Sequence, residues 1–152
     1  MHFTNTSYCQ ERNMNIGWFS LHTLPNKSVL GYSQDNHWVV VSNTEMKIIG
    51  SEKSYLYLLN VLEEPLEKFK IKLNNQITNE QIPEFPYLEL IRFTLKEGSA
   101  YWIELALNWI DGLLNHEKQV LIELLNSIMK NNKYSQKLRH RTQKVIKRID
   151  IL

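Results

Sequence analysis

An α+β fold is the class this sequence predicts: an N-terminal antiparallel sheet of three or four short strands packed on a C-terminal helical bundle. Between residues 16 and 49, short runs rich in β-branched and aromatic residues alternate with turn signals. At Gly50-Ser51 the spacing of apolar residues changes from two to between three and four. From Ser99 to Leu152 helical periodicity is at its strongest, and two of the four tryptophans lie there. The 152 residues suit one domain large enough to bury a core. Within it, 1–15 are expected to be irregular, 16–50 sheet-rich and 51–152 mainly helical.

Residues 1–15 are polar, with frequent Asn, Thr and Ser, and carry no alternation. Ile16–Leu24 alternates around Trp18 and Phe19 and predicts a strand, which Pro25-Asn26 ends in a turn. Val29–Ser33 is a second short strand. Asp35-Asn36 is a tight-turn signal before the β-branched run His37-Trp38-Val39-Val40-Val41. Asn43-Thr44 then turns the chain into Met46–Ile49. Close turns between short strands predict a meander.

Ser51 is placed to cap a helix carrying Tyr55, Leu58, Leu59 and Leu62. Pro65 would remove a backbone donor inside that helix, but it fits the start of a new one over Leu66, Phe69 and Leu73. Residues 74–81 read as a polar linker, and Pro83 and Pro86 frame the next start. Tyr87–Lys96 is compatible with helix or strand; the spacing of Leu88, Ile91 and Leu95 between Pro86 and Gly98 favours helix. Gly98 then closes one helix and Ser99 caps the next. In that helix Trp102, Leu105, Ala106, Trp109, Ile110 and Leu113 form one apolar row, with Ile103, Leu107 and Leu114 beside it. Asp111-Gly112 or Asn115 ends it. A further helix is expected over about 117–129, broken by Asn131-Asn132, and Ser135 caps a last one bearing Leu138, Val145, Ile146 and Ile149. No repeat of fixed period is present, although the helix pairs 86–97 with 99–112 and 117–129 with 135–150 have α-solenoid size.

Composition narrows the function classes. Hydrophobic residues make up 43% and charged residues 22%, ordinary for a soluble globule. Cys9 is the lone cysteine, so no internal disulfide can form, and a reducing, cytoplasmic setting is expected. No apolar leader or long apolar span is present; Tyr55–Leu62 is far too short to cross a membrane. The net charge is +2 but unevenly spread. Residues 1–75 are balanced, 76–129 carry three basic and eight acidic residues, and 130–152 carry eight basic residues against Asp150. Such segments can attract one another or present opposite patches to partners.

No catalytic or metal constellation is legible. The histidines His2, His22, His37, His116 and His140 lack ligand-pair spacing, so no metal and no cofactor is expected. Glu63, Glu64 and Glu67, followed by Lys68, Lys70 and Lys72, could hold an acid/base pair; Glu-before-Lys order more often marks a solvated helix face. There is no G-x-S-x-G and no glycine-rich phosphate loop. Cys9 reads as an incidental exposed thiol rather than a nucleophile. Trp18, Phe19 and Trp38 could form a recognition face, although packing between sheet and helices is the commoner outcome. A hydrolase stays open only because a missing motif excludes none.

Tyr101-Trp102, Ala106-Leu107-Asn108-Trp109-Ile110 and Ser135-Gln136-Lys137-Leu138-Arg139-His140 resemble the helix-rich small immunity proteins of bacterial toxin–immunity systems, over roughly the last third of the chain. The resemblance implies a non-enzymatic protein that binds one toxin domain tightly; it supplies no site residues. Immunity proteins against basic nucleases tend to be acidic overall, and this chain is not. If the partner is a basic toxin domain, the contact is expected to use the acidic segment, with Glu80, Glu84, Glu89 and Glu97 as candidates. The alternative is nucleic-acid binding through Lys137, Arg141, Lys144 and Arg148, which form one stripe along the last helix.

Overall fold

The computed structural model describes Phe3, residues 5–43 and residues 45–151. The chain divides into two compact units, residues 1–85 and 86–152.

The first unit is built on five strands: β1 (Asn5–Cys9), β2 (Met14–Thr23), β3 (Val29–Ser33), β4 (Trp38–Ser42) and β5 (Glu45–Ile49). Each pairs antiparallel with the next. The sheet is closed, not open: β1 meets β5 in parallel at Tyr8 and Glu45. In an up-and-down meander with an odd number of strands, the first and last run the same way, so closure has to be parallel. The expected three or four strands become five because the N-terminal stretch expected to be irregular contains β1. Its sequence Asn-Thr-Ser-Tyr-Cys sends only Cys9 fully into the core, so it carries no apolar alternation. The barrel interior is filled by Cys9, Ile16, Trp18, Val39, Val41, Met46 and Ile48. Cys9 is fully buried, which corrects the expectation of an exposed thiol.

Local chemistry explains the turns. Asn13, Lys27, Asn36 and Asn43, one in each of the four hairpin turns, take a positive φ, and asparagine is the non-glycine residue that tolerates it best. Thr44, half of the expected Asn43-Thr44 turn, lies outside the described residues, as do His2 and Leu152. Gly31 is needed for close approach: a Cβ there would overlap the Trp18 ring and the Phe19 carbonyl. Trp18 Nε1 donates to Ser7 Oγ at 2.9 Å. Trp38, on the outer face, packs edge-on against Tyr32 and Phe85. These tryptophans are core residues and not a recognition face.

Ser51 precedes a helix over Glu52–Glu63, but it is a 3-10 helix of twelve residues, long for that type. Its burial repeats every three residues, with Leu58 above Val61 and Leu59 above Leu62, leaving Leu56 and Tyr57 exposed. Pro65 caps α1 (Leu66–Gln76), which buries Leu66, Phe69 and Leu73 and takes in the first residues of the expected polar linker.

The second unit is helical: α2 (Tyr87–Glu97), α3 (Ala100–Ile110), α4 (Asn115–Val120), α5 (Ile122–Lys130) and α6 (Gln136–Asp150). Tyr87–Lys96 is therefore helix, starting after Pro86 and closing at Gly98. The helix expected over 117–129 is two segments. Buried Leu121 breaks it, its N–H reaching back only to the Lys118 carbonyl. On α3 the buried row is Ile103, Ala106, Leu107 and Ile110 with Trp109, whereas Trp102 and Leu105 stay half-buried. Ser135 Oγ accepts from Leu138 N at 3.1 Å, capping α6 as expected. Thr94 and Thr142 are buried and return their hydroxyls to the carbonyls one turn back.

Candidate functional site

The basic stripe lies on α6 because the opposite side of that helix is taken up by the core residues Leu138, Thr142, Val145, Ile146 and Ile149. The stripe does not act as one surface. Arg148 reaches the Asp111 carboxylate at 3.4 Å, and Arg141 donates to the Asn108 side-chain oxygen. Lys137 and Lys144 have no ion-pair partner among the described residues. Gln136, Lys137, His140, Arg141 and Lys144 line one shallow groove of about 590 Å³. Arg148, the last residue of the expected stripe, is not part of it.

The four acidic candidates are all exposed but divide between the units. Glu80 and Glu84 lie in the segment between α1 and α2, within the first unit. Glu89 sits in the first turn of α2, where a carboxylate favours the helix dipole. Glu97 is the last residue of α2, where the dipole opposes it, so helix stability does not account for a carboxylate there. Arg92 and Lys96 are also exposed on α2, so its outer face is mixed rather than acidic. Exposure continues from Lys96 through Glu97, Ser99 and Ala100 to Tyr101, interrupted only by half-buried Gly98. Tyr101 is 54% exposed and stacks edge-on against Trp102, with ring centroids 4.8 Å apart.

One pair was not visible in the sequence. His22 Nε2 lies 2.6 Å from Glu64 Oε2, with the two side chains only 9% and 15% exposed. An irregularity in β2 aims the imidazole. Ser20 pairs with Gly31 and His22 with Leu30, so Leu21 is an inserted residue, a β-bulge. Before it Ile16 and Trp18 point into the barrel; after it His22 turns outward onto the Phe69 ring. Glu64 ends the 3-10 helix just before Pro65, which holds it in place. Beside the pair, Ser20, Thr23, Lys72, Asn75 and Gln76 line a polar groove of about 390 Å³. A carboxylate-oriented imidazole is half of an acid–base arrangement. The pair also ties β2 to the end of the 3-10 helix.

A second histidine cluster serves the β3–β4 turn. Ser33 Oγ bonds the Asp35 carboxylate and accepts from His37 N, and Arg12 lies 3.4 Å from Asp35. Burial alone would raise the Asp35 pKa; the Ser33 hydroxyl, His37 and Arg12 outweigh it and hold the carboxyl below its usual range. His116 and His140 are exposed and belong to the second unit. Among the described residues no three of His, Cys, Asp or Glu are grouped as metal ligands, and no helix is long and apolar enough to cross a membrane. Comparison of the chain with protein-family models, with curated proteins and with solved structures returns no match.

Proposed function

We propose that this is a protein-binding protein without catalysis of its own, an immunity-type inhibitor that occupies a cognate bacterial toxin domain. The observation that carries the reading is exposed Tyr101 stacked on half-buried Trp102 at the head of α3, with Glu97 close before it in the chain. Interfaces draw most of their affinity from a few aromatic or Arg anchors, while rim charges steer association. Tyr101 is the anchor in this reading, and Glu97, with Glu89 on the same helix, belongs to the rim. Glu80 and Glu84 are a second set of carboxylates for a basic partner.

The test begins with whether a toxin gene lies beside this one, and uses that toxin. Co-expression should relieve its toxicity, and the purified proteins should bind. Tyr101→Ala should then speed dissociation and weaken binding by about 2 kcal/mol or more, roughly 30-fold. Charge reversal at Glu89 and Glu97 should chiefly slow association, and the more so at low salt. Unchanged kinetics for all three variants would move the interface elsewhere. No neutralisation and no complex would end the immunity reading.

A further inference from the structure

We propose that the groove on α6 formed by Lys137, His140, Arg141 and Lys144 binds the phosphodiester backbone of nucleic acid. This rests on the second unit's own surface and not on the toxin-binding reading. Lys137, Arg141 and Lys144 follow one another at i, i+4 and i+7 on α6. They therefore form a row about 10 Å long at 1.5 Å rise per residue. Successive phosphates of one strand advance about 3.4 Å along a duplex axis, so such a row covers about three steps of backbone. Arg141 is held by its bond to Asn108, and that bond leaves its positive charge uncompensated. The lysines on either side carry charge that no carboxylate among the described residues neutralises. Asp111, which follows α3, is engaged by Arg148, outside the groove.

The lining also argues against other polyanionic partners. A membrane-surface helix needs apolar side chains exposed beside its cations. Here Leu138, Val145, Ile146 and Ile149 are buried beneath the helix. An acidic protein partner would want an aromatic or aliphatic anchor at the centre of its site. The groove lining contains only Gln136, Lys137, His140, Arg141 and Lys144. What remains is a row of cations with amide and imidazole donors, the chemistry that meets phosphate oxygens.

Fluorescence anisotropy with a labelled mixed-sequence duplex over a series of salt concentrations tests this. Three phosphate contacts predict a log–log slope near −2.7, which is a loss of about 40-fold between about 50 and 200 mM salt. The double variant Lys137→Gln/Lys144→Gln should bind more weakly and flatten the slope to about −0.9. The Lys→Arg pair should restore both. Arg148→Gln, outside the groove, should change neither. Circular dichroism of each variant separates lost contacts from lost folding. Absence of binding at low salt would overturn the proposal, as would a slope unaffected by the Gln pair. Equal or tighter binding to polyglutamate or to phosphatidylserine vesicles, measured in parallel, would overturn it in favour of that partner class.

Discussion

Replacing Trp109 by Ala tests the packing of the helical unit most directly. The indole is 1% exposed, sits on the buried row of α3 and lies 6.1 Å from the Tyr87 ring. A tryptophan buries about 150–250 Å², worth roughly 4–6 kcal/mol at about 25 cal/mol per Å². Alanine keeps part of that and the remaining cavity adds some back, so the expected loss is about 3–5 kcal/mol. Urea unfolding followed by ellipticity at the helix minimum measures it. Trp102→Ala, on the half-buried edge of the same helix, should cost less than half as much. A cycle with Tyr87→Leu should show coupling of about 0.5–1.5 kcal/mol between the rings. A loss below about 1 kcal/mol for Trp109→Ala would refute the packing argument, since that is the range of exposed positions.

Two further outcomes follow from the barrel. Gly31→Ala must push against the Phe19 carbonyl and the Trp18 ring, of which the backbone group cannot swing away; a loss of about 1–3 kcal/mol is expected, read as a lower urea midpoint, and an unchanged midpoint would mean that the strands part without cost. Asp35 has a folded-state pKa below its unfolded one, so its contribution to stability is present above the unfolded value of about 3.9 and disappears as pH falls through the folded value. Asp35→Asn should therefore lower stability at neutral pH and make the decline at acid pH shallower; parallel stability–pH curves for the two proteins would contradict this.

What the sequence discloses depends on whether the signal is local. The Val-rich β4 and the 3.6-residue spacing of α2, α3 and α6 are local, and each element lies where its pattern places it. Ser135 likewise caps α6 through a bond three residues away. β1 is illegible because four of its five residues are only partly buried or exposed, and its place in the barrel is set by β2 and β5. The break at Leu121 is hidden because leucine suits a helix interior, and tertiary burial decides the matter. The α6 stripe is visible as a spacing, but its division into a groove and the Arg148–Asp111 pair needs α3 to be in place. His22 and Glu64 are 42 positions apart, and nothing in the chain announces that a bulge turns one towards the other.

The parallel seam between β1 and β5 sets the order in which this barrel can be assembled. Each of the other strand pairs is a hairpin of neighbours and can zip as soon as both strands exist. The seam joins Tyr8 to Glu45 and must wait for everything between them. Until then β1 and β5 are bare edges, each able to accept a strand from another molecule. Slow closure would thus appear first as concentration-dependent loss of refolding yield, and a nascent chain still attached at residue 40 would present an open ribbon.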